Sequence, residues 1–260
     1  LPFYISIPLG ALCAAVFGLL LGTPVLKLKG DYLAIVTLGF GEIIRIFMNN
    51  LNAPINITNG PQGINLIDPI RVGAADLGSP INLFGMSLPP VYLYYYLFLV
   101  LTVIVVIMAS RLQHSRIGRA WVALREDQIA ASAMGINIRN IKLLAFALGA
   151  LSGGVAGGLF SAFQGFVSPE SFSLLESIMI LAMIVLGGMG NIGGVLLGAL
   201  LLSFVPELLR YTVEPLQQEL FGRMLIEPEV IRMLLFGLAL VLMMLYRPAG
   251  LLPAARWRSA

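Results

Sequence analysis

Charged residues are rare in this sequence, so the few places where they cluster are the first candidates for chemistry. The 260 residues include 16 lysines and arginines and 13 aspartates and glutamates. Three consecutive charges, Arg125, Glu126 and Asp127, lie in the polar stretch from Ser115 to Asn137. On a short helix, such a cluster either contacts a second protein or rests at the lipid interface. The residues alone leave both interpretations open.

Small residues follow the charged cluster and would let another surface approach closely. Residues 120–134 are rich in helix formers, and Gly135 is placed to cap the end of a helix. We therefore predict a helix at 119–135 inside a loop at about 110–142. The predicted contact residues are Arg119, Arg125, Glu126, Asp127, Ala130, Ala131 and Gly135.

An acid and a base occur together inside an apolar segment. Glu42 and Arg45 are three residues apart, which puts them on one face of a helix. An ionisable residue inside a membrane is a functional candidate, but an ion pair that holds its helix in a bundle is the simpler interpretation, and we predict that role. Gly39 and Gly41 precede the pair, where they would open the helix, shape a pore or admit a close neighbour.

Glycines cluster at other points of the chain. Gly187, Gly188 and Gly190 interrupt a long apolar stretch and predict a helix break or a pore-shaping turn. Glycines spaced four apart let membrane helices approach closely. We expect these to pack helices within one bundle, with a dimer interface as the alternative. They are Gly18 and Gly22, Gly149, Gly153 and Gly157, and Gly194 and Gly198.

Several classes of chemistry do not fit the composition. The single cysteine, Cys13, and the single histidine, His114, do not make a disulfide framework or a metal site. The sequence has no Gly-Lys-Ser or Gly-Lys-Thr phosphate loop, so any ATP chemistry must come from another chain. Basic residues lie between apolar segments and not along one polar face, which does not suggest nucleic-acid binding. We predict no catalytic residue, metal or cofactor on this chain.

Apolar helices are the elements that must position these residues. The chain is 58% hydrophobic and 11% charged, with a mean hydropathy of +0.93, whereas soluble domains carry about 25% charged residues. A membrane helix needs about 20 mostly apolar residues. We predict an all-α, polytopic helical bundle that forms one transmembrane domain over residues 1–260. The seven predicted spans are 2–21, 32–47, 91–109, 143–167, 173–187, 195–209 and 233–246.

Basic residues set the predicted orientation, because they concentrate in cytoplasmic loops. Most of them lie in segments 22–31, 110–142 and 247–260, which alternation of the seven spans places on one side. We therefore predict that loop 110–142 is cytoplasmic and that Asn59 and Glu170 are outside. Residues 1–28 lack a cleavage site after a basic start, which indicates a span and not a secretory signal.

Short motifs in a fixed order carry a family resemblance. They are Thr37–Arg45, Asn59–Ile64, Gly118–Asp127, Pro169–Phe172 with Val185–Gly190, and Tyr246–Pro253. Together they resemble the LivM-type permeases of branched-chain amino acid ABC importers, and Arg125–Gly135 is similar to the ATPase-coupling loop of such permeases. The resemblance covers residues 30–253, while residues 1–29 match only as an apolar span.

This resemblance implies a permease subunit of the plasma (inner) membrane that forms a path for branched-chain amino acids by alternating access. It implies a second permease subunit, two cytoplasmic ATPase subunits that hold ATP and Mg²⁺, and an outside substrate-binding protein. An ion-coupled secondary amino acid transporter is the alternative, with Glu42 as its one candidate for the buried acid that such a transporter needs. A non-transporting membrane scaffold is a third interpretation.

Overall fold

Long apolar helices make up most of the chain. The computed structural model describes residues 3–26, 28, 31–52, 56–72, 75–83, 86–221, 228–247 and 249–252. These residues form two units, Leu1–Ser173 and Leu174–Ala260. Helices dominate both units, which agrees with the predicted all-α class. That residues 1–260 work as one transmembrane domain stays a prediction.

The first unit combines long helices with short paired strands. The sequence analysis did not predict the strands, which form three antiparallel pairs: Ile64–Asn65 with Phe166–Val167, Arg71–Val72 with Ala75–Asp76, and Ile81–Leu83 with Met86–Leu88. The helices are α1 (Phe3–Val25), α2 (Asp31–Asn49), α3 (Pro90–Gln113), α4 (Arg116–Glu126), α5 (Gln128–Ala133) and α6 (Ile138–Gln164). The unit also contains two 3-10 helices, Gly60–Gln62 after α2 and Pro169–Phe172 after α6. The strands are β1 (Ile64–Asn65), β2 (Arg71–Val72), β3 (Ala75–Asp76), β4 (Ile81–Leu83), β5 (Met86–Leu88) and β6 (Phe166–Val167).

The second unit is built from α7 (Leu174–Gly187), α8 (Ile192–Phe221) and α9 (Pro228–Tyr246). Its core contains Ala182, Leu186, Leu202 and Phe236. The predicted sixth span, 195–209, agrees with the apolar helix Ile192–Leu208, while α8 itself continues past this apolar part and through Pro215 to Phe221. The charges after residue 206 indicate where the apolar stretch ends, but a helix also continues through polar residues.

Helices α1 and α6 pack against each other in opposite directions. A Cβ on Gly18 would lie 2.5 Å from the Cβ of Ala150, and one on Gly154 would lie 2.7 Å from the Cβ of Ala14. Gly22 faces Leu143 in the same interface. Since residue numbers fall along α1 as they rise along α6, the pair is antiparallel. Gly18 and Gly22 therefore pack helices within the unit, as predicted, whereas on α6 the contact is made by Gly154 and not by the predicted Gly149, Gly153 and Gly157.

Most of the predicted spans have the length and composition of membrane helices. Among the described residues, four helices are long and apolar enough to cross a membrane, and they are Phe3–Val25, Pro90–Gln113, Ile138–Gln164 and Pro169–Gly187. Two further apolar helices, Ile192–Leu208 and Met233–Tyr246, are shorter. The predicted second span corresponds to α2, which carries Glu42 and Arg45. Each of the seven predicted spans thus overlaps a helix.

The first unit has two distinct ends. At the strand end, residues 56–72 meet the start of α3 and the end of α6: the Tyr94 hydroxyl accepts from the Ile70 N–H and donates to the Ala162 carbonyl, both at 3.2 Å. At the loop end, α4 and α5 meet the start of α6, and α1 ends beside the same part of α6. Asn59 and Glu170 thus lie at the end opposite the loop 110–142, which is the alternation that the sequence predicts.

Candidate functional site

The charged loop folds as two short helices, so the single predicted helix at 119–135 is wrong. Helix α4 ends at Glu126 and α5 begins at Gln128, with an extended backbone at Asp127 (φ −151°, ψ 120°). The Asp127 carboxylate accepts hydrogen bonds from the N–H groups of Ile129 at 2.7 Å and Ala130 at 3.1 Å. Asp127 is therefore the N-cap of α5, and its carboxylate is already engaged within the loop.

Gly135 ends the second loop helix, as the sequence predicts. Its φ is +82°, in the left-handed region that favours glycine. The Ile136 N–H donates to the Ala131 carbonyl at 3.1 Å, and the Gly135 N–H donates to the Ser132 carbonyl at 3.0 Å. These paired bonds are the C-terminal capping pattern in which a left-handed glycine closes a helix.

Burial divides the predicted contact residues of the loop into two groups. Ala131 is only 3% exposed, so its side chain packs inside the loop and does not fit the predicted close approach of a partner. Two large apolar side chains that the sequence analysis missed are highly exposed: Ile129 is 81% exposed and Met134 is 83% exposed. The sequence could have indicated them, because each is an apolar residue within a polar loop. The predicted contact residues that are exposed are Arg119, Arg125, Glu126, Asp127, Ala130 and Gly135.

The loop helices are tied to the start of α6. The Trp121 indole N–H donates to the Ile141 carbonyl at 2.9 Å, and the Lys142 ammonium donates to the Gln128 side-chain oxygen at 3.2 Å. An open groove of about 450 Å³ lies at the junction of α4 and α5. It is lined by Glu126, Asp127, Gln128, Ile129, Ser132 and Ile138.

A network of charged side chains joins α2 to the segment after α6. Arg45 Nε donates to both carboxylate oxygens of Glu42 at 3.1 Å, and Arg45 Nη1 donates to Glu170 at 2.5 Å. The Asn49 side-chain amide donates to the same Glu170 carboxylate at 2.6 Å. The geometry agrees with the predicted pairing of Glu42 and Arg45. Glu170 was not predicted as a partner, because 125 residues separate it from Arg45.

The Asn59–Gly63 turn packs into the same end of the unit. Gly60 has φ +58°, and a Cβ on it would lie 2.9 Å from the Asn49 carbonyl oxygen. Gly63 has φ +68°, and a Cβ on it would overlap the backbone of Val167. Three motifs of the family resemblance, Thr37–Arg45, Asn59–Ile64 and Pro169–Phe172, therefore come together in space.

The predicted helix-breaking glycines fall into two classes. Helix α2 is unbroken through Gly39 and Gly41, so the predicted helix break there is wrong. Apart from the nearby backbone of α2 itself, no described atom lies within 4 Å of a Cβ built on either residue. Gly187 and Gly188 do break a helix, since α7 ends at Gly187 and Gly188 has φ +115°. Gly190, with φ +91°, completes the turn.

The break at Gly188 is held by the segment after α9. The N–H groups of Leu251 and Leu252 donate to the carbonyls of Leu186 at 2.9 Å and Gly187 at 3.1 Å. A Cβ on Gly188 would lie 2.5 Å from the Leu252 carbonyl oxygen. Close backbone packing within the second unit thus accounts for these glycines.

Glu42→Gln should lower the yield of inserted protein more than the uptake by each protein molecule that inserts. Glutamine still accepts a hydrogen bond from Arg45, and Arg45 keeps its contact with Glu170. The measurement is ATP-dependent uptake per inserted molecule, the activity that the family resemblance implies, after reconstitution with the partner subunits that it implies. Glu170→Gln is the matched control, and its smaller effect on yield follows from the greater exposure of Glu170, 52% against 31% for Glu42. Full yield with abolished uptake would show that Glu42 acts in transport.

Known proteins resemble this chain along almost all of its length. A profile of the family described as "Branched-chain amino acid transport system / permease component" matches residues 1–245. The permease protein LivM of the high-affinity branched-chain amino acid transport system of Escherichia coli (strain K12) is 44% identical over 98% of this chain and 59% of its own length. A probable LivM permease of Methanocaldococcus jannaschii is 28% identical over 96% of this chain and 68% of its own length.

A second kind of permease also matches. The permease protein LivH of the same Escherichia coli system is 36% identical over 37% of this chain and 31% of its own length. No solved structure matches the chain. The chain spans about three fifths of the length of the LivM protein from Escherichia coli. The family profile covers nearly the whole chain, so this chain belongs to the family of permease components of branched-chain amino acid transport systems.

Proposed function

We propose that this chain is one permease subunit of an ATP-driven importer and forms part of the path for branched-chain amino acids. The observation that carries the proposal is the loop pair α4 and α5, which is tied to the apolar helix α6 and presents an exposed tip at Ile129 and Met134. In the proposed importer, an ATPase subunit would act on this tip. The chain itself is a multi-pass protein of the inner membrane.

The proposed assembly contains a second permease subunit, two cytoplasmic ATPase subunits that hold ATP and Mg²⁺, and an extracytoplasmic substrate-binding protein. The two permease proteins named for one Escherichia coli system, LivM and LivH, support the pairing with a second permease. The relatives are transport permeases and not enzymes, so we assign no covalent chemistry to this chain. We propose that its residues 1–260 act as a single transmembrane domain.

The tip of the loop pair is the proposed ATPase contact. Glu126, Ile129, Ala130 and Met134 are exposed there, and the first two line the groove at the helix junction. Asp127 and Gly135 shape the tip by capping α5, and Ala131 packs it from inside. The ion-coupled alternative gains no support, because its candidate acid, Glu42, is bonded to Arg45.

Reconstitution into liposomes tests the proposal directly. The chain is purified with the subunits that accompany it, and uptake of leucine, isoleucine and valine is measured with the binding protein outside and ATP inside. ATP-dependent uptake is the expected result. Uptake that follows an ion gradient without ATP would establish the ion-coupled alternative, and purification without any ATPase subunit would favour a membrane scaffold.

The loop end should be cytoplasmic and the strand end extracytoplasmic. Exposed Ala133 on α5 and exposed Gln62 in the turn offer matched labelling positions, each changed to cysteine in a Cys13→Ser background. An impermeant thiol reagent added to spheroplasts should label Gln62→Cys and leave Ala133→Cys unlabelled until the cells are lysed. The reverse pattern would overturn the orientation that the basic residues predict.

A further inference from the structure

We propose that Trp121 is a positioning residue that makes the loop helices α4 and α5 move as one body with the membrane helices α6 and α1. Movement imposed at the loop tip would then reach the membrane through α6 and α1. The inference rests on the proposed function, since it assumes that an ATPase acts on the tip. It adds the route by which this chain transmits that movement and the residue that holds the route together.

The first link is the contact of Trp121 with α6. The indole N–H donates to the carbonyl of Ile141, 20 residues along the chain, at 2.9 Å. Ile141 lies in the first turn of α6, which begins at Ile138. A half-buried indole combines a large contact area with one directional hydrogen bond, so it fixes both the distance and the rotation of α4 relative to α6.

The second link ties α5 to the same turn of α6. Lys142, the residue after Ile141, donates to the Gln128 side chain at 3.2 Å. Leu124 on α4 and Ala131 on α5 are 7% and 3% exposed, which gives this polar loop a small packed interior. The loop is thus held to α6 at one residue of each loop helix, and its interior resists shear between α4 and α5.

The third link is the packing of α6 on α1. A Cβ on Gly22 would meet Leu143 Cδ2 at 3.1 Å, so α1 touches α6 directly after Ile141 and Lys142. One turn further, a Cβ on Gly18 would lie 2.9 Å from the Phe146 carbonyl oxygen. Helices this close leave no room for one to slide past the other, because packed interfaces are not continuously deformable.

The start of α4 is held differently, by contacts that are local in sequence. Ser115 caps the helix by accepting from the Gly118 N–H at 3.2 Å, and Arg119 donates to the His114 carbonyl at 2.9 Å. These bonds shape the corner between α3 and α4 but do not reach another membrane helix. Among the described residues of α4, Trp121 is therefore the one whose side-chain hydrogen bond joins the loop to a second membrane helix.

The test uses Trp121→Phe in the complete reconstituted transporter. Phenylalanine keeps an aromatic ring but has no N–H to donate to Ile141. We expect normal insertion, normal ATPase co-purification and normal ATP hydrolysis, while amino acids moved per ATP fall about fivefold, the equilibrium factor of one net hydrogen bond. Val122→Ala is the matched control, since the neighbouring Val122 is exposed, and it should leave that ratio unchanged.

A cross-link then tests whether loss of the rigid connection is the cause. Gln128→Cys and Lys142→Cys, in a Cys13→Ser background, place one thiol on each side of the present contact, separated by a gap that a cross-linker can span. A short bis-maleimide should join them, leave the wild-type ratio within about twofold and restore the ratio of Trp121→Phe, because a covalent tether between α5 and α6 takes over the connection that the lost Trp121–Ile141 bond provided. Restoration distinguishes positioning from a general loss of folding.

Each other result contradicts the inference. An unchanged ratio in Trp121→Phe, failure of the two thiols to cross-link, or loss of wild-type uptake on cross-linking would each show that the loop moves independently of α6. Absence of ATP-dependent uptake by the wild-type chain would instead overturn the proposed function and this inference with it. The wild-type measurement therefore separates the two failures.

Discussion

Gly18→Leu should prevent α1 from packing on α6, whereas Gly153→Leu should leave that packing intact. A Cβ on Gly18 would lie 2.5 Å from the Ala150 Cβ and 2.9 Å from the Phe146 carbonyl oxygen. Neither neighbour is the end of a flexible side chain, so the helices themselves must separate. Overpacking costs about 1–3 kcal/mol, and leucine adds three further carbons to the strained Cβ. We expect loss of most inserted protein, because whole domains are stable by only about 5–15 kcal/mol.

The measurement is the yield of membrane-inserted protein and its thermal midpoint in detergent. Gly153→Leu is the matched control: it makes the same change on α6, where no described atom outside the nearby backbone of α6 lies within 4 Å of the new Cβ. Equal yields of the two variants would contradict the assigned interface. A normal yield of Gly153→Leu with loss of the second permease from the purified complex would establish the alternative role of that glycine, a contact between permease subunits.

These glycines show what spacing predicts and what it does not. A four-residue period correctly indicates close helix packing, but α6 carries two such rows, one residue apart. Gly154 packs against Ala11 and Ala14 of α1, while the adjacent Gly153 faces open space among the described residues. The period places residues on a common face, and only the partner helix decides which face is buried. The sequence therefore predicts that glycines pack helices closely, but it does not predict which glycines lie at the contact.

The charged residues give a similar result for the candidate sites. The Glu42–Arg45 pair is local, three residues apart on one helix, and the sequence predicts it. Glu170 joins the pair through the fold, because the 3-10 helix after α6 lies beside the end of α2. In the loop, helix propensity predicts a continuous helix through Asp127, but its carboxylate competes for the backbone N–H groups and starts a new helix. Exposure of Ile129 likewise depends on which face of α5 the loop buries.

Ala130→Trp should abolish binding of the proposed ATPase subunit without disturbing the permease, and it is the sharper test of the loop tip. Ala130 is exposed on α5, next to the exposed Ile129 and close to the groove at the helix junction. An indole there would stand between the tip and any docked surface. A misfit of about 1.4 kcal/mol already weakens a contact tenfold, and overpacking costs about 1–3 kcal/mol. We expect normal insertion, at least about tenfold less ATPase in the purified complex, and loss of ATP-driven uptake.

Ala131→Trp is the matched comparison, one residue away but pointing into the loop. Because Ala131 is 3% exposed, the same indole there should disrupt the packing of α5 itself. Limited proteolysis should cut the loop of Ala131→Trp much faster than that of Ala130→Trp, although both variants lose the ATPase. If the exposed face of α5 rests on lipid instead, a tryptophan at residue 130 is tolerated or favoured. Wild-type amounts of ATPase and normal uptake in Ala130→Trp would therefore rule out this face as the coupling contact.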